Sequence, residues 1–328
     1  MISLILPTYN SIEFLEERVE TILNQSIDDW ECVVIDGKST DGTWEYLCNI
    51  ASKDARFKMF QFSPKGVYNA WNIGVKKSKG NYIYFATSDD SMTPNCLEEL
   101  HKGFSLAPSC SIAHCCLKII GENSEKKEEL DWRKFFAQKY FEDLTNKYHI
   151  RKAPLVGILY ATHQTIIHSF TQVLIRREVF DKIGYFIEDK GPQADLEWGM
   201  RAGLSVDMVH IPLELATWRV HSNQLTLIDS SHQNNKVIVE LMGLALKASK
   251  LEVLSNPLIE LILLFSTWNL IKGESLLRKI FSWSYYKIQC RFLFNRKLLN
   301  AVKSRKKYHV YLMEKIIKKE KTNLIVEL

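Results

Sequence analysis

The sequence predicts an α/β protein: a mostly parallel, doubly wound sheet with flanking helices, followed by a carboxyl-terminal helical region. Short apolar runs at residues 2–7, 31–36 and 81–86 are bounded by turn-forming residues, a pattern typical of strands buried on both faces of a parallel sheet. The segments between these runs repeat apolar residues at helical spacing. Strands and helices that alternate in this way indicate a doubly wound sheet.

The individual elements can be assigned in chain order. The first helix follows Ser11, whose residue type is a frequent N-cap. Helical spacing returns at residues 43–51 and 67–77, which predict the second and third helices. Between them, residues 56–62 predict a further strand.

The carboxyl-terminal third differs from the rest, because strand signals fade after about residue 221. We expect an α/β domain at residues 1–225 and a basic helical region at residues 226–328. Residues 272–328 hold fifteen Lys/Arg and four Asp/Glu, a net charge of +11 in a chain whose total is +5. Aromatic and apolar residues interleaved with this charge at residues 276–294 indicate an interfacial helix on an anionic membrane surface. Core packing or a homo-oligomer contact is the alternative, and nucleic acid is not the expected partner.

Composition and cysteine usage indicate a globular protein of the cytoplasm. The 328 residues are 46% hydrophobic and 25% charged, which excludes wholesale disorder. The seven cysteines are odd in number and irregular in spacing, as reduced thiols are. No signal-peptide pattern precedes the first apolar run. The most apolar stretch, residues 257–271, is shorter than the roughly 20 residues that a membrane-spanning helix needs.

Polar residues follow three predicted strands at their carboxyl ends. They are Pro7-Thr8-Tyr9-Asn10, Asp36-Gly37-Lys38-Ser39-Thr40-Asp41-Gly42-Thr43 and Thr87-Ser88-Asp89-Asp90. Because ligands of open parallel sheets bind beyond this edge, the pattern predicts a nucleotide site. The pair Asp89-Asp90 indicates a divalent metal, since hard cations prefer carboxylate oxygens. Capping of the next helix is the alternative for this pair.

Three further residues have both a functional and a structural interpretation. Asp36 can accept a hydrogen bond from a base ring N–H or can stabilise its own turn. Asp195 opens a predicted helix, where it can act as a general base or as a capping carboxylate. His221 can contact a metal or a phosphate, or can be a structural histidine.

Taken together and in this order, these stretches resemble the inverting family 2 glycosyltransferases, which have the GT-A fold. The resemblance covers about residues 1–225. The loop from Asp36 to Thr43 resembles the family's Asp-Asp-Gly-Ser-Thr-Asp-Gly-Thr, with Gly37 in place of the second Asp and Lys38 in place of the Gly. The stretch Lys65-Gly66-Val67-Tyr68-Asn69-Ala70-Trp71-Asn72 is similar to Lys-Gly-Ile-Tyr-Asp-Ala-Met-Asn of one branch.

The resemblance implies a role for each matching residue. Thr8, Tyr9 and Asp36 would hold the base of the nucleotide. Asp89 matches the metal-binding final Asp of the Asp-x-Asp motif, whose first Asp is Thr87 here. Asp195 matches the catalytic base, with Ala194 in place of the Glu that precedes it in the family. The implied donor contacts are Pro7, Thr8, Tyr9, Asn10, Asp36, Lys65, Asn72, Thr87, Ser88, Asp89 and Arg201, and the implied metal ligands are Asp89 and His221.

The resemblance also implies an activity. It predicts a metal-dependent, inverting glycosyltransferase that uses Mn²⁺ or Mg²⁺ and a nucleotide-diphosphate sugar, with UDP as the expected nucleotide. The expected acceptor is a hydroxyl of a glycan or lipid-linked glycan in bacterial surface polysaccharide synthesis, with the enzyme peripheral on the inner face of the cell membrane. One alternative is a catalytically impaired GT-A scaffold, favoured by Thr87 and Ala194. Another is a sugar nucleotidyltransferase, whose Gly-x-Gly-Thr-Arg loop is replaced here by the residues from Pro7 to Asn10.

Overall fold

The computed structural model describes residues 1–127, 141–163, 167–189, 191–222 and 324–328. The strands are β1 (Ile2–Thr8), β2 (Trp30–Asp36), β3 (Phe57–Gln61), β4 (Tyr82–Phe85), β5 (Ile112–Ile120), β6 (His149–Arg151), β7 (Val173–Arg176), β8 (Met208–Arg219) and β9 (Ile325–Glu327). The helices are α1 (Ile12–Leu23), α2 (Thr43–Lys53), α3 (Val67–Lys77), α4 (Cys96–Leu106), α5 (Leu155–His163), α6 (Glu178–Ile183) and α7 (Ala194–Ser205). Short 3-10 helices lie at Glu142–Asn146, Phe170–Gln172 and Gly191–Gln193. The predicted amino-terminal strands and helices are confirmed.

The described strands form one mixed sheet in the order β3-β2-β1-β4-β7-β5-β8-β6-β9. Strands β1 to β4 are parallel, as predicted. Strand β7 pairs antiparallel with both β4 and β5, and β5 pairs parallel with β8. The carboxyl ends of β1, β2, β4 and β8 therefore reach the same edge of the sheet, which is where ligands of such sheets bind.

Two apolar layers hold the sheet, one on each face. Neighbouring residues of β1 serve both layers, because successive strand side chains point to opposite faces. Ile5 packs in the layer that contains Trp71 of α3 and Trp198 of α7. Leu4 packs in the other layer, against residues such as Leu15 of α1. Burial on both faces explains why these strands read as continuous apolar runs.

The start of α1 differs from the prediction that Ser11 caps it. The Ser11 side chain makes no capping hydrogen bond and instead accepts one from the Tyr9 backbone N–H at 3.2 Å. The free N–H of Ile12 donates to Asp41 Oδ2 at 3.1 Å, and Asp41 Oδ1 also accepts from Thr43 N–H at 3.0 Å. Asp41 thus caps α1 from the neighbouring loop. The sequence could not show this, because the two loops meet only in the folded chain.

Three buried histidines, one each from β5, β6 and β8, pack together. His210 Nε2 lies 3.0 Å from the Thr145 carbonyl, so it carries the proton and leaves Nδ1 as an acceptor. His114 Nδ1, 3.1 Å away, is then the donor to His210. His149 Nε2 accepts from Arg151 Nε at 3.0 Å, which places its proton on Nδ1. The His149 and His210 rings are therefore neutral, and burial lowers the pKa of all three histidines.

The last described residues return to the sheet. Ile325–Glu327 pair antiparallel with β6, and Leu324 is buried in the core. These residues form a strand inside the region 226–328, which the sequence predicted to be a helical region. Residues 223–323, with the predicted interfacial helix, lie outside the described residues, so the division at residue 225 stays a prediction. Within the described ranges, no helix has the length and apolar character of a bilayer span.

Candidate active site

A cleft of about 640 Å³ opens at the carboxyl edge of the sheet. It lies between the ends of β1, β2, β4 and β8 and the first turns of α1, α3 and α7. Most of the residues predicted from sequence line it: Pro7, Thr8, Tyr9, Asn10, Asp36, Lys65, Thr87, Ser88, Asp89, Asp195 and His221. The fold therefore brings together residues that are more than 200 positions apart in the chain.

Asp36 lies at the floor of the cleft and is fully buried. Its carboxylate accepts hydrogen bonds from Thr8 Oγ1 at 3.0 Å and from Gln61 Nε2 at 3.0 Å. The Ser39 backbone N–H and hydroxyl donate two more, at 3.0 and 2.6 Å. These four bonds match the four lone-pair sites of a carboxylate. Asp36 therefore holds the loop that forms the cleft floor, and a base N–H that binds here must replace one of these donors.

Tyr9 forms one wall at the mouth of the cleft. Its side chain is 59% exposed, an unusual state for a large aromatic residue, and it is free to face a planar ligand. An added Cβ at Gly37 would lie 3.0 Å from Tyr9 Cδ2. Gly37 stands in place of an Asp of the family motif, and the absence of a side chain there avoids a steric clash with the Tyr9 ring.

Asp89 and His221 form the candidate metal site. His221 Nε2 lies 3.2 Å from Asp89 Oδ2, and the bond to Asp89 raises the pKa of His221. Two neighbouring ligands of an octahedral ion with bonds of about 2.1 Å are separated by about 3 Å, so the pair fits Mg²⁺ or Mn²⁺ without rearrangement. Within the described ranges, no group of three or more His, Cys, Asp or Glu side chains is arranged around a metal position. Oxygen atoms of a bound donor and water are further ligands that such an ion would take.

Asp90 also lines the cleft, but it is nearly fully buried and its carboxylate is bonded to neighbouring protein groups. Its carboxylate accepts from Thr87 Oγ1 at 2.5 Å, Ser169 Oγ at 3.1 Å and the Arg219 backbone N–H at 2.8 Å. Burial, together with the neighbouring Asp89 charge, raises the pKa of Asp90 to about 7. Helix α4 begins at Cys96 after Asn95, so neither acidic residue caps it. Asp90 instead fixes the loop that presents Asp89.

Asp195 stands in the first turn of α7 and points into the cleft. Its Oδ1 accepts from the Leu196 backbone N–H at 2.6 Å, and the Tyr68 hydroxyl donates a second bond to the carboxylate. Burial raises the pKa of Asp195 to about 6, although both hydrogen bonds act in the opposite direction. A carboxylate with this pKa is ionised at neutral pH and is a stronger base than an ordinary Asp.

Two predicted donor contacts do not reach the cleft. Asn72 is buried, and its amide exchanges hydrogen bonds with the Phe186 backbone at 2.9 and 3.0 Å. Arg201 is also buried and forms an ion pair with Glu197 at 2.6 Å. Its guanidinium further donates to the backbone carbonyls of Ile183 and Tyr185. Both residues hold the segment before α7, and neither is among the residues that line the cleft.

Two residues that shape this site were not predicted from the sequence. Tyr68 is part of the motif that carries the resemblance, yet only the fold shows that its hydroxyl reaches Asp195. Arg219 precedes His221 by two residues and is 1% exposed, with its guanidinium bonded to the Asp89 carbonyl at 2.7 Å. An Arg at the end of an apolar strand, two residues before His221, was the available signal, because a buried guanidinium needs several partners.

Comparison with known proteins identifies the class. The family model "Glycosyl transferase family 2" matches residues 3–184. The chain belongs to glycosyl transferase family 2. An uncharacterized glycosyltransferase of Haemophilus influenzae is 42% identical over 101 residues, which cover 30% of this chain and 40% of that protein. A putative teichuronic acid biosynthesis glycosyltransferase, TuaG of Bacillus subtilis, is 31% identical over 124 residues, or 38% of this chain and 49% of TuaG.

Solved structures agree on the fold. Staphylococcus aureus TarS residues 1–349 in complex with UDP-GlcNAc superimposes with a TM-score of 0.60 at 17% identity, covering 97% of this chain and 91% of that one. The mannosyltransferase PcManGT of Pyrobaculum calidifontis, in complex with GDP-Man and Mn²⁺, gives a TM-score of 0.53 at 14% identity over 97% and 88% of the two chains. The fold is the GT-A fold. The matches to the first curated relatives span less than half of each relative's length.

Proposed function

We propose that this family 2 glycosyltransferase is an inverting enzyme that transfers a sugar from a nucleotide diphosphate, with UDP as the nucleotide, to a hydroxyl acceptor. The observation that carries the proposal is that Asp195 and the Asp89–His221 pair line one cleft. A basic carboxylate and a site for a hard cation are the two chemical elements that such a displacement needs.

The proposed reaction is a single displacement. Asp195 accepts the proton of the acceptor hydroxyl while that oxygen attacks the anomeric carbon. The new carbon–oxygen bond forms on the face opposite the diphosphate, the bond to the diphosphate oxygen breaks with its electron pair, and the anomeric configuration inverts. Asp195 then releases the proton to solvent. Mn²⁺ or Mg²⁺ held by Asp89 and His221 would supply charge neutralisation for the departing diphosphate.

The donor-binding half of the cleft is assigned to the ends of β1 and β2. Tyr9 offers an exposed ring for the base, while Thr8 and Asp36 form the polar floor beneath it. Lys65 is exposed at the rim and carries a positive charge suited to the diphosphate or sugar. UDP-GlcNAc in TarS supports a nucleotide-sugar donor of this kind.

The proposed acceptor is a glycan or lipid-linked glycan of a bacterial surface polysaccharide. The name of TuaG, which refers to teichuronic acid biosynthesis, supports this class of product. The net charge of +11 at residues 272–328 supports docking on the anionic inner face of the cell membrane. A homo-oligomer contact is the alternative use of that region.

A catalytically impaired scaffold is the competing proposal. Thr87 replaces a motif acid, and its hydroxyl is bonded to Asp90 rather than offered to a sugar. Ala194 replaces the motif Glu and is buried. Both Asp89 and Asp195 remain in the cleft, however, and the raised pKa of Asp195 favours an active base.

Donor screening tests the proposal. The full-length chain is incubated with Mn²⁺ and individual UDP-, GDP- and other nucleotide sugars, and the released nucleotide is measured. We expect one donor to release nucleotide in a metal-dependent way and Asp89→Ala to remove that release. Anomeric configuration is then read by NMR on a product made with that donor and a glycan acceptor. No turnover of any donor by correctly folded protein would favour the scaffold, and retention at the anomeric centre would exclude the single displacement.

A further inference from the structure

The guanidinium of Arg219 joins three segments around the candidate metal site. Its Nε donates to the Asp89 carbonyl at 2.7 Å. Its Nη1 contacts the carbonyls of Gly121 and Glu122 at 3.1 and 2.9 Å, within the turn that follows β5. Its Nη2 donates to Glu17 Oε2 of α1 at 2.7 Å. One side chain therefore connects the end of β4, the turn after β5 and helix α1.

The backbone of Arg219 adds a fourth connection. Its N–H donates to Asp90 Oδ1 at 2.8 Å, so the two acidic residues after β4 are both bonded to this one residue. Strand β8 ends at Arg219, and His221 lies only two residues further along the chain. The positions of Asp89 and His221 are thus set from the same residue, one through hydrogen bonds and the other through the chain.

Phe14 completes this arrangement from α1. Its ring lies 4.8 Å from the His221 ring, centroid to centroid, and 5.0 Å from the guanidinium carbon of Arg219. The aromatic face attracts the cation and gives the imidazole a packed surface. The His221 ring is therefore held between Phe14 and Asp89.

These contacts require the shape of an arginine. The guanidinium is a planar fork with five N–H donors, and here they reach acceptors on three different segments. The side chain is 1% exposed, so each unused donor would be costly. A lysine would keep the positive charge, but its single ammonium cannot reach the Asp89 carbonyl, the turn and Glu17 at once.

We infer that Arg219 is the positioning residue for the metal site: it fixes the 3.2 Å separation of Asp89 Oδ2 and His221 Nε2 at which both can bind one divalent cation. The inference rests on the proposed metal site. Groups that orient metal ligands typically contribute about 10–100-fold to metal affinity, although they do not touch the metal. Arg219 contacts no reacting atom, so its effect must appear first in metal binding.

The test is Mn²⁺ binding to the full-length protein with saturating UDP, measured by calorimetry and by the EPR signal of free Mn²⁺. We expect Arg219→Lys to weaken Mn²⁺ binding by about 10–100-fold. Arg177→Lys is the matched control, because Arg177 holds the Gly80 and Val75 carbonyls and Ser78 Oγ at 2.5, 3.0 and 2.8 Å away from the cleft lining. Both variants should lose thermal stability, but only Arg219→Lys should lose metal affinity.

A second variant covers the case in which Arg219→Lys fails to fold. Glu17→Gln removes the charge partner of Arg219 at a side chain that is 39% exposed, so folding should persist. We expect a smaller, several-fold loss of Mn²⁺ affinity. Wild-type affinity in Arg219→Lys, or in Glu17→Gln if the lysine variant does not fold, would overturn the inference. If Asp89→Ala also binds Mn²⁺ like the wild type, the proposed metal site itself is wrong.

Discussion

The Tyr68 hydroxyl donates a hydrogen bond to the Asp195 carboxylate, which joins the second residue of α3 to the second residue of α7 across the cleft. The bond stabilises the ionised carboxylate and so lowers the pKa of Asp195, whereas burial, the larger effect, raises it to about 6. Tyr68 thus favours the ionised form of Asp195 in a buried site that disfavours the charge.

Removing this bond should shift the pH dependence of transfer. In the wild type we expect kcat/KM to fall as pH drops through about 6, because Asp195 must be ionised to accept a proton. In Tyr68→Phe the pKa of Asp195 rises, so the acid limb moves to higher pH. Initial rates from pH 5 to 8 measure this shift. Tyr82→Phe, whose ring packs on Phe104 outside the cleft lining, should keep the wild-type profile. If the acid limb of Tyr68→Phe stays at the wild-type pH, Tyr68 does not influence the ionisation of the catalytic base.

Asp195→Asn should abolish transfer while making the protein more stable. The loss of a general base costs about 10²–10⁴-fold in rate. The amide keeps an acceptor for the Leu196 N–H and Tyr68 but removes a partly buried charge, which should stabilise the fold by on the order of 1–2 kcal/mol at pH 7. Single-turnover rates, UDP affinity and thermal unfolding give the three readouts. Near-normal transfer by the folded variant would exclude Asp195 as the base.

The Arg201–Glu197 ion pair should matter for stability rather than for donor binding. Both side chains are buried, 5% and 1% exposed, so removing one leaves the other charge without a partner. Arg201→Met should cost about 3–5 kcal/mol of unfolding free energy. Replacing both, with Glu197→Leu added, should recover most of that loss. Denaturant unfolding of the wild type, the two single variants and the double variant gives the four unfolding free energies of a double-mutant cycle. A raised KM for the donor in the well-folded double variant would show that Arg201 contributes to donor binding.

The buried histidines should make the fold sensitive to acid. Burial lowers the pKa of His149 to about 3, while an unfolded chain titrates near 6.5. Between these values the unfolded state binds more protons, so stability falls as pH decreases from 6.5. Asp195 contributes the opposite slope between its unfolded value of 3.8 and about 6. His149→Gln should therefore reduce the slope of the unfolding free energy against pH by up to about 1.4 kcal/mol per pH unit relative to the wild type.

A non-titrating substitution at an exposed histidine is the control for that slope. His101→Gln on α4 should flatten this slope less than His149→Gln does, because partial burial lowers the pKa of His101 as well but the residue stays exposed. Denaturant unfolding from pH 7.5 to 4.5 gives the three slopes. Equal slopes for the wild type and His149→Gln would show that the His149 ring becomes protonated in the folded protein.

The basic segment at residues 272–328 should bind anionic membranes. Each Lys or Arg near such a surface contributes about 1 kcal/mol, and this contribution weakens with salt. We expect the full-length protein to sediment with anionic liposomes at low salt and to be released at high salt. Neutral liposomes serve as the control. Protein that stays in the supernatant with anionic liposomes at low salt would assign the segment to packing or oligomer contacts.

The amino-acid sequence by itself determined the elements and the edge of the sheet at which the site forms. Strand positions could be predicted because β1, β2 and β4 are buried on both faces and are therefore mainly apolar. The place of Asp36 and Asp89 followed from the same pattern, since a residue at the carboxyl end of a parallel strand must lie at that edge. These properties depend on short stretches of chain, and local pattern is sufficient to predict them.

Only the tertiary structure decided what each side chain contacts. Arg201 and Asn72 occupy positions expected to face the donor, yet their polar groups are used by the segment before α7. Asp41 replaces Ser11 as the cap of α1, and Arg219 reaches Glu17 across 202 positions of sequence. A polar group that becomes buried must bond to whatever partner the fold brings near it. That partner is fixed by long-range packing, which no local pattern records.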